Sequence, residues 1–416
     1  MSRRWTVFSL VFVAIVINYV DRGNLSVAAP SIMRDFQLVP ARMGVLLSAF
    51  FWTYALFQIP SGALVDRFSI RRAYAGAFLV WSMASASIAL SRGPGDIIGL
   101  RTVLGLAESV APLASLSFIR ANFSETDQGL PTSIYIAGQN IGPALGVLVG
   151  ALLLNRYGWR AMFAITGLGA LFWLPCWLIA APANGARTAP EAARRAAGPS
   201  PLSPWSWREL LARRAFWAMT LSILLSSYYW YFVLTWVPSY LILARSFSTL
   251  GMGRVLSTAL FAMAGVNVVA GAAADRLAGR IGVFQARLWF GVAGYAGTAA
   301  IWLLLVTDRT WALPILTFSL CSTGIGNSNF WAITQAASPK NMVGRAVGFL
   351  NTASVVAGAA APVITGWILG PQKRFGPAIF LAGACSMLAA VCLVAARAHG
   401  LEGLKALLGR KAVASV

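Results

Sequence analysis

The sequence is short of charge, of acids, of histidine and of cysteine, and each shortage removes a class of function. Charged residues make up 11% of the 416, against about a quarter in soluble globular chains. Hydrophobic residues reach 58% and mean hydropathy is +0.71, so most of the chain must face hydrocarbon. The four cysteines, Cys176, Cys321, Cys385 and Cys392, lie in apolar runs without metal or disulfide spacing; they read as small core residues. The one histidine, His399, lies in the C-terminal tail, so proton coupling must use carboxylates, whose charged form burial disfavours. No nucleophile–base pair or metal cluster is apparent, so neither an enzyme, a metal nor a cofactor is expected.

What the sequence has is long apolar runs. A spanning helix needs roughly 20 mostly apolar residues. Such segments fall at 5–29, 43–64, 73–91, 95–119, 130–154 and 159–181, and again at 216–244, 255–274, 283–306, 310–333, 343–369 and 376–397. This predicts an all-α membrane protein with twelve transmembrane helices. Residues 1–181 would form an N-terminal six-helix bundle, 182–214 a cytoplasmic linker, and 215–416 a C-terminal six-helix bundle. The first run follows Arg3 and Arg4 but continues without a small-residue cleavage site, so it reads as a mature helix. The linker ends in Trp205–Arg214, which has the pattern of an amphipathic helix at the inner membrane surface.

The net charge of +21 invites a nucleic-acid reading, and its distribution argues against one. Most of the 33 Lys and Arg fall in the N-terminus, the even-numbered loops and the C-terminus. The positive-inside rule therefore places both termini in the cytoplasm. The lipid bilayer, not nucleic acid, is the expected partner of the surface.

The two halves repeat one another. Between spans 2 and 3 the chain reads Gly62-Ala-Leu-Val-Asp66-Arg67, with Arg71 and Arg72 following. Between spans 8 and 9 it reads Gly271-Ala-Ala-Ala-Asp275-Arg276, with Arg280 following. Here the chain resembles the major facilitator superfamily, whose cytoplasmic loop motif this is. The resemblance implies two pseudo-symmetric six-helix bundles. It also implies a gating role for Gly62, Asp66, Arg67, Asp275 and Arg276, the glycine permitting close helix approach and the charges bridging helix ends. A pair of tight basic turns is the plainer reading.

Of the 12 acidic residues, only Asp21 and Glu108 lie well inside spans. An intramembrane ionisable residue is costly, usually paired, and by default a functional candidate. Span 1 carries Tyr19, Asp21, Arg22 and Asn24; span 4 carries Arg101 and Glu108, roughly 10 Å apart along one helix face. Two acids and two guanidiniums can neutralise one another in an empty cavity. A substrate carboxylate would compete for an arginine and release an acid to exchange a proton, a task suited to arginine's planar, permanently charged fork. A static ion-pair network between helices is the competing reading. Tyr54, Gln58, Gln139, Tyr231, Trp331 and Asn351 are further polar or aromatic residues within spans, where interface anchoring and interhelical hydrogen bonding compete with ligand contact.

Asn18-Tyr19-Val20-Asp21-Arg22-Gly-Asn24, Ser48–Gly62, Arg101–Glu108, Gly138-Gln139, Tyr231–Pro238 and Asn351 together resemble the anion:cation symporter family of that superfamily. It includes bacterial galactonate, glucarate and hexuronate carriers and, more distantly, sialin and the vesicular glutamate transporters. The resemblance implies that Arg22 holds a substrate carboxylate and that Tyr19, Tyr54, Gln58, Gln139, Tyr231, Trp331 and Asn351 line the pocket. Asp21 and Glu108 would carry protons, and Arg101 would balance their charge. The expected protein is a monomeric proton-coupled symporter of the bacterial inner membrane, importing an organic anion, above all a sugar acid. Gly129, Gly138, Gly142-Pro143 and Gly146 approach the span 5 glycine motif of drug–proton antiporters, with Val147 in place of its last glycine. Close helix packing accounts for them more simply. A proton-coupled antiporter is the alternative; a non-transporting membrane sensor is the alternative from another class.

Overall fold

The computed structural model describes residues 3–124, 127–181, 210–337 and 343–398. Every regular element among them is helical. In the N-terminal half they are α1 (Arg3–Asp35), α2 (Pro40–Arg67), α3 (Ile70–Ser87), α4 (Pro94–Glu108), α5 (Val110–Asn122), α6 (Gly129–Ala170) and α7 (Trp173–Ala180). Those of the C-terminal half are α8 (Arg214–Leu243), α9 (Thr249–Ile281), α10 (Val283–Gly297), α11 (Ala312–Ala337), α12 (Val343–Leu369) and α13 (Phe375–Ala398). Most of the expected linker, 182–209, and His399 lie outside the described residues.

Local chemistry explains several boundaries. Pro40 and Pro94 open α2 and α4, where the first N–H has no intrahelical partner to lose. The Ser69 side chain accepts the Arg72 N–H and caps α3. The expected span 4 is broken at Ser109 into α4 and α5. Pro112 has no N–H to give the Glu108 carbonyl four residues earlier, so the ladder is interrupted beside an acid singled out from sequence.

Nine segments among the described residues are long and apolar enough to cross a bilayer. One of them, Gly129–Ala180, has 52 residues and breaks at Gly158, whose φ of +79° suits only glycine; it supplies two spans. With α2 and α11, 28 and 26 residues long, the expected twelve are reached. Phe172, Ile179, Val268 and Trp367 are among the large apolar side chains exposed on the helices, as a lipid-facing surface requires. Cys176 is also exposed, which corrects its reading as a core residue.

The described chain packs as two compact units. The first holds α1 to α7 together with Leu234–Ser257 and Pro362–Lys373. Its main seam is glycine-lined. A Cβ on Gly142 would stand 2.5 Å from the Tyr19 Cβ, and one on Gly146 would stand 2.9 Å from the Val20 Cα. Gly138 faces Phe12 and Gly150 faces Asn24 in the same register. The glycines of α6 therefore seat α1 closely at the stretch that carries the polar residues. Behind α3, the Phe78 and Trp173 rings stack at 4.1 Å and Trp173 stacks on Trp177 at 5.1 Å. In the same unit the Trp236 indole donates to the Pro362 carbonyl at 3.1 Å, against which Gly44 of α2 also packs.

Of the described residues, the second unit contains 210–233, 258–337, 343–361 and 374–398. Its core gathers Phe216, Ile223, Leu288, Tyr295, Phe330, Leu350 and Leu393. Gly326 lies under the Tyr295 ring, and the Tyr295 hydroxyl donates to Asn327 at 2.9 Å. Buried hydroxyls tie the helices together: Tyr229 with Ser319 at 2.6 Å, and Thr298 with Thr323 at 3.0 Å.

Candidate functional site

The polar residues of α1 diverge because neighbours on a helix point about 100° apart. Arg22 turns toward α2 and α4, and its Nε donates to the Glu108 Oε2 at 2.9 Å. The Glu108 side chain is fully buried and that of Arg22 is 15% exposed. Aromatic rings enclose the guanidinium. Its carbon lies 4.7 Å from the Tyr19 centroid, 4.5 Å from Tyr54 and 5.0 Å from Phe50. Arg22 Nη2 and Glu108 Oε1 are buried and have no hydrogen-bond partner. Nε is thus spent on Glu108, while Nη2 is a buried donor without a partner, the kind of group a carboxylate satisfies.

Asp21 points elsewhere, toward α3. Its Oδ1 accepts from Ser85 at 3.2 Å and from Asn24 at 3.4 Å, and Asn24 also donates to the Thr166 hydroxyl at 3.1 Å. Arg101, also buried, forms no ion pair; its Nε and Nη1 have no partner, and its guanidinium carbon sits 5.0 Å from the Phe50 ring. The expectation of mutual neutralisation by paired charges therefore needs correction. One ion pair forms in the site, Arg22 with Glu108; Asp21 and Arg101 act on each other only at longer range. The reason is angular, since a helix cannot aim Asp21 and Arg22 into the same gap.

Among the pocket residues anticipated in this unit, Tyr19 and Tyr54 meet Arg22 directly. Gln139 is half-buried and spends its amide N–H on the Tyr135 hydroxyl at 3.0 Å, on its own helix. Gln58 is half-buried on α2. Tyr231, Trp331 and Asn351 are half-buried in the second unit.

The loop-motif residues divide. Asp275 forms an ion pair with Arg287 of α10, and Arg287 also donates to Asn329 at 3.3 Å. Arg67 and Arg276 are exposed. The close approach expected at the motif glycines is absent: a Cβ on Gly62 would find its nearest neighbour at 3.9 Å, and one on Gly271 would find nothing within 4 Å. Both positions lie within helices, α2 and α9, and leave room for a methyl group. The backbone of Asp66 belongs to the last turn of α2, which ends at Arg67.

Sequence reasoning passed over Phe50, Ser85 and Thr166. Phe50 and Ser85 are indistinguishable from packing residues in apolar or small-residue runs. Asn18 and Asn24 had a signal, since both lie three residues from Asp21 and so share its helix face. Both are fully buried. The Asn18 amide lies beside the Glu108 carboxylate and still lacks a hydrogen bond of full geometry.

The first unit of this many-spanning chain therefore buries a charged centre among its helices, the arrangement of a multi-pass membrane transporter. The chain belongs to the Major Facilitator Superfamily, which it matches over residues 11–362. It is homologous to transporters of sugar acids. It is 25% identical to the D-galactonate transporter of Escherichia coli O6:H1, over 94% of this chain and 95% of that one. It is 27% identical to a probable chloroplastic anion transporter of Oryza sativa subsp. japonica, over 91% of this chain and 66% of that longer protein. The fold matches the crystal structure of a bacterial homologue of the human lysosomal transporter Spinster, inward-facing and unoccupied, with a TM-score of 0.75 at 18% identity and 98% coverage of both chains.

Proposed function

We propose that this protein is a proton-coupled symporter that imports an organic anion, a sugar acid such as a hexonate, hexarate or hexuronate, by alternating access. The observation that carries this reading is Arg22: a buried guanidinium boxed by aromatic rings, with Nε on Glu108 and Nη2 without a partner. The D-galactonate transporter among its relatives supports the substrate class.

In this reading the substrate carboxylate takes the unpartnered Nη2 of Arg22. It weakens the hold of that arginine on Glu108, which then accepts a proton. Asp21, held by Ser85 and Asn24, is the second proton carrier, and Arg101 balances the charge. Tyr231, Trp331 and Asn351 select among hydroxylated anions, because amides and phenols suit hydroxyl groups. The six-helix halves 1–181 and 215–416, joined by the linker 182–214, rock about the site. Both termini are cytoplasmic, the membrane is a bacterial inner membrane, and the chain works as a monomer.

Purified protein in liposomes with an inward proton gradient should accumulate a radiolabelled sugar acid, and a protonophore should abolish accumulation. If no anion of a panel of hexonates, hexarates and hexuronates moves, the reading fails.

A further inference from the structure

Phe50 is assigned no part by the reading above, yet it touches both arginines of the site. It is fully buried on α2. The guanidinium carbons of Arg22 and Arg101 each lie 5.0 Å from its ring centroid. The Tyr54 ring, one turn on, stacks against it at 5.4 Å with 22° between planes. A ring face carries negative quadrupole density and attracts guanidinium most strongly where water is excluded. Arg22 also has Glu108. Arg101 has no ion pair and two buried nitrogens without partners, and the Phe50 ring is a favourable surface within reach of its charge.

The backbone fixes this ring in place. A Cβ on Gly105 of α4 would collide with the Phe50 carbonyl. The Thr53 hydroxyl lies 3.2 Å from that carbonyl and 2.9 Å from the Thr102 carbonyl of α4. The glycine seat and the threonine clamp join α2 to the helix that bears both Arg101 and Glu108.

We propose that Phe50 is a positioning residue for the anion site, a single aromatic surface shared by Arg22 and Arg101 that keeps the second arginine from competing for Glu108. Without the ring, the nearest opposite charges left to Arg101 are Glu108 and Asp21. Arg101 would draw on Glu108, and the preset pairing of Arg22 would loosen. The effect on transport rests on the reading that Arg22 holds the anion; the contact between ring and arginines does not.

The test places mono-, di- and trifluorophenylalanine at position 50, which weakens the quadrupole stepwise at nearly constant shape, beside Phe50→Leu and Phe50→Tyr. Two readouts are taken on the purified full chain: melting temperature without substrate, and affinity for a sugar acid. Without substrate, the melting temperature should fall with each fluorine, and the slope should flatten in the Arg101→Met background. Affinity should fall about tenfold in Phe50→Leu and stay within about threefold in Phe50→Tyr, the scale of one desolvated cation–π contact. A flat fluorination series, or an equal slope with and without Arg101, would overturn the proposal and leave Phe50 as apolar filling. A slope with no anion bound by the unsubstituted protein keeps the shared-ring contact and rejects the transport reading alone.

Discussion

Among the described residues, each unit has one arginine–carboxylate pair that joins two helices, and the two pairs differ in almost everything else. In the first, Arg22 meets a Glu108 that is fully buried, and aromatic rings close over the guanidinium. In the second, Arg287 meets an Asp275 that is 69% exposed, and the arginine is shared with a neutral amide. Breaking a buried pair by removing one partner costs about 3–5 kcal/mol, because a charge is stranded; an exposed pair is worth about 0–1 kcal/mol. On the proposed reading, the costly pair in one unit and the cheap pair in the other serve two tasks. The buried pair suits recognition and charge exchange, and the rim pair suits a contact that must break easily.

The largest effect should come from Arg22→Ala. The substitution removes the anion's charge partner and strands Glu108, a change of about 2–5 kcal/mol. Sugar-acid affinity, measured by calorimetry or thermal shift, should fall by at least about 30-fold. Retained affinity would exclude Arg22 as the anchor. Glu108→Gln is next and more selective, because the amide keeps the shape and loses the charge. Gradient-driven accumulation should vanish, while substrate exchange across liposomes stays within about threefold, under 1 kcal/mol. Unaffected accumulation would remove Glu108 from the coupling path.

A second contrast, among glycines, predicts an effect on stability. Gly142 seats Tyr19 with no room for a methyl group, whereas a Cβ on Gly62 would make only an ordinary contact, with Leu113 at 3.9 Å. Gly142→Ala should overpack the seam between α1 and α6 and cost about 1–3 kcal/mol, read as a lowered melting temperature in detergent. Gly62→Ala should leave that temperature unchanged. Equal losses at both positions would mean that the seam is not what positions α1. Smaller again is Ser85→Ala, which removes one neutral donor from Asp21, a change of about 1 kcal/mol. The uptake rate should drop about fivefold and recover in Ser85→Thr.

The twelve spans and the internal repeat were legible because the membrane forces a simple code: apolar runs of fixed length, with basic residues on one side. Arg22, Glu108, Tyr19 and Tyr54 were legible for the same reason, since charge and phenol stand out against hydrocarbon. What the sequence hid was direction. It gave no warning that Asp21 leaves the ion-pair cluster for Ser85, because only the rotation of α1 against α3 decides that. Phe50 was hidden by its company, the apolar run Ala49-Phe50-Phe51-Trp52, in which nothing marks one ring as the contact of two arginines. The motif glycines erred the other way. Their recurrence suggested close packing, and the geometry places the close packing on α6 instead.

The smallest expected effect tests the opening contrast from its weak side. Asp275→Asn removes the charge from the rim pair and leaves a side chain of the same shape, still able to accept from Arg287. Because Asp275 is mostly exposed, water already screens the pair. The loss in stability should stay below about 1 kcal/mol and shrink further as salt is raised. Sugar-acid affinity should be unchanged, since the pair belongs to the unit that does not hold Arg22. Any consequence belongs to the rate of transport, where a contact that must open and reform would show itself as altered turnover at unchanged affinity. Measuring the melting temperature at low and high salt beside affinity separates these outcomes. If Asp275→Asn lowers affinity as much as Arg22→Ala does, the division between a recognising pair and a breaking pair is wrong. The two units would then have to be treated as one electrostatic system.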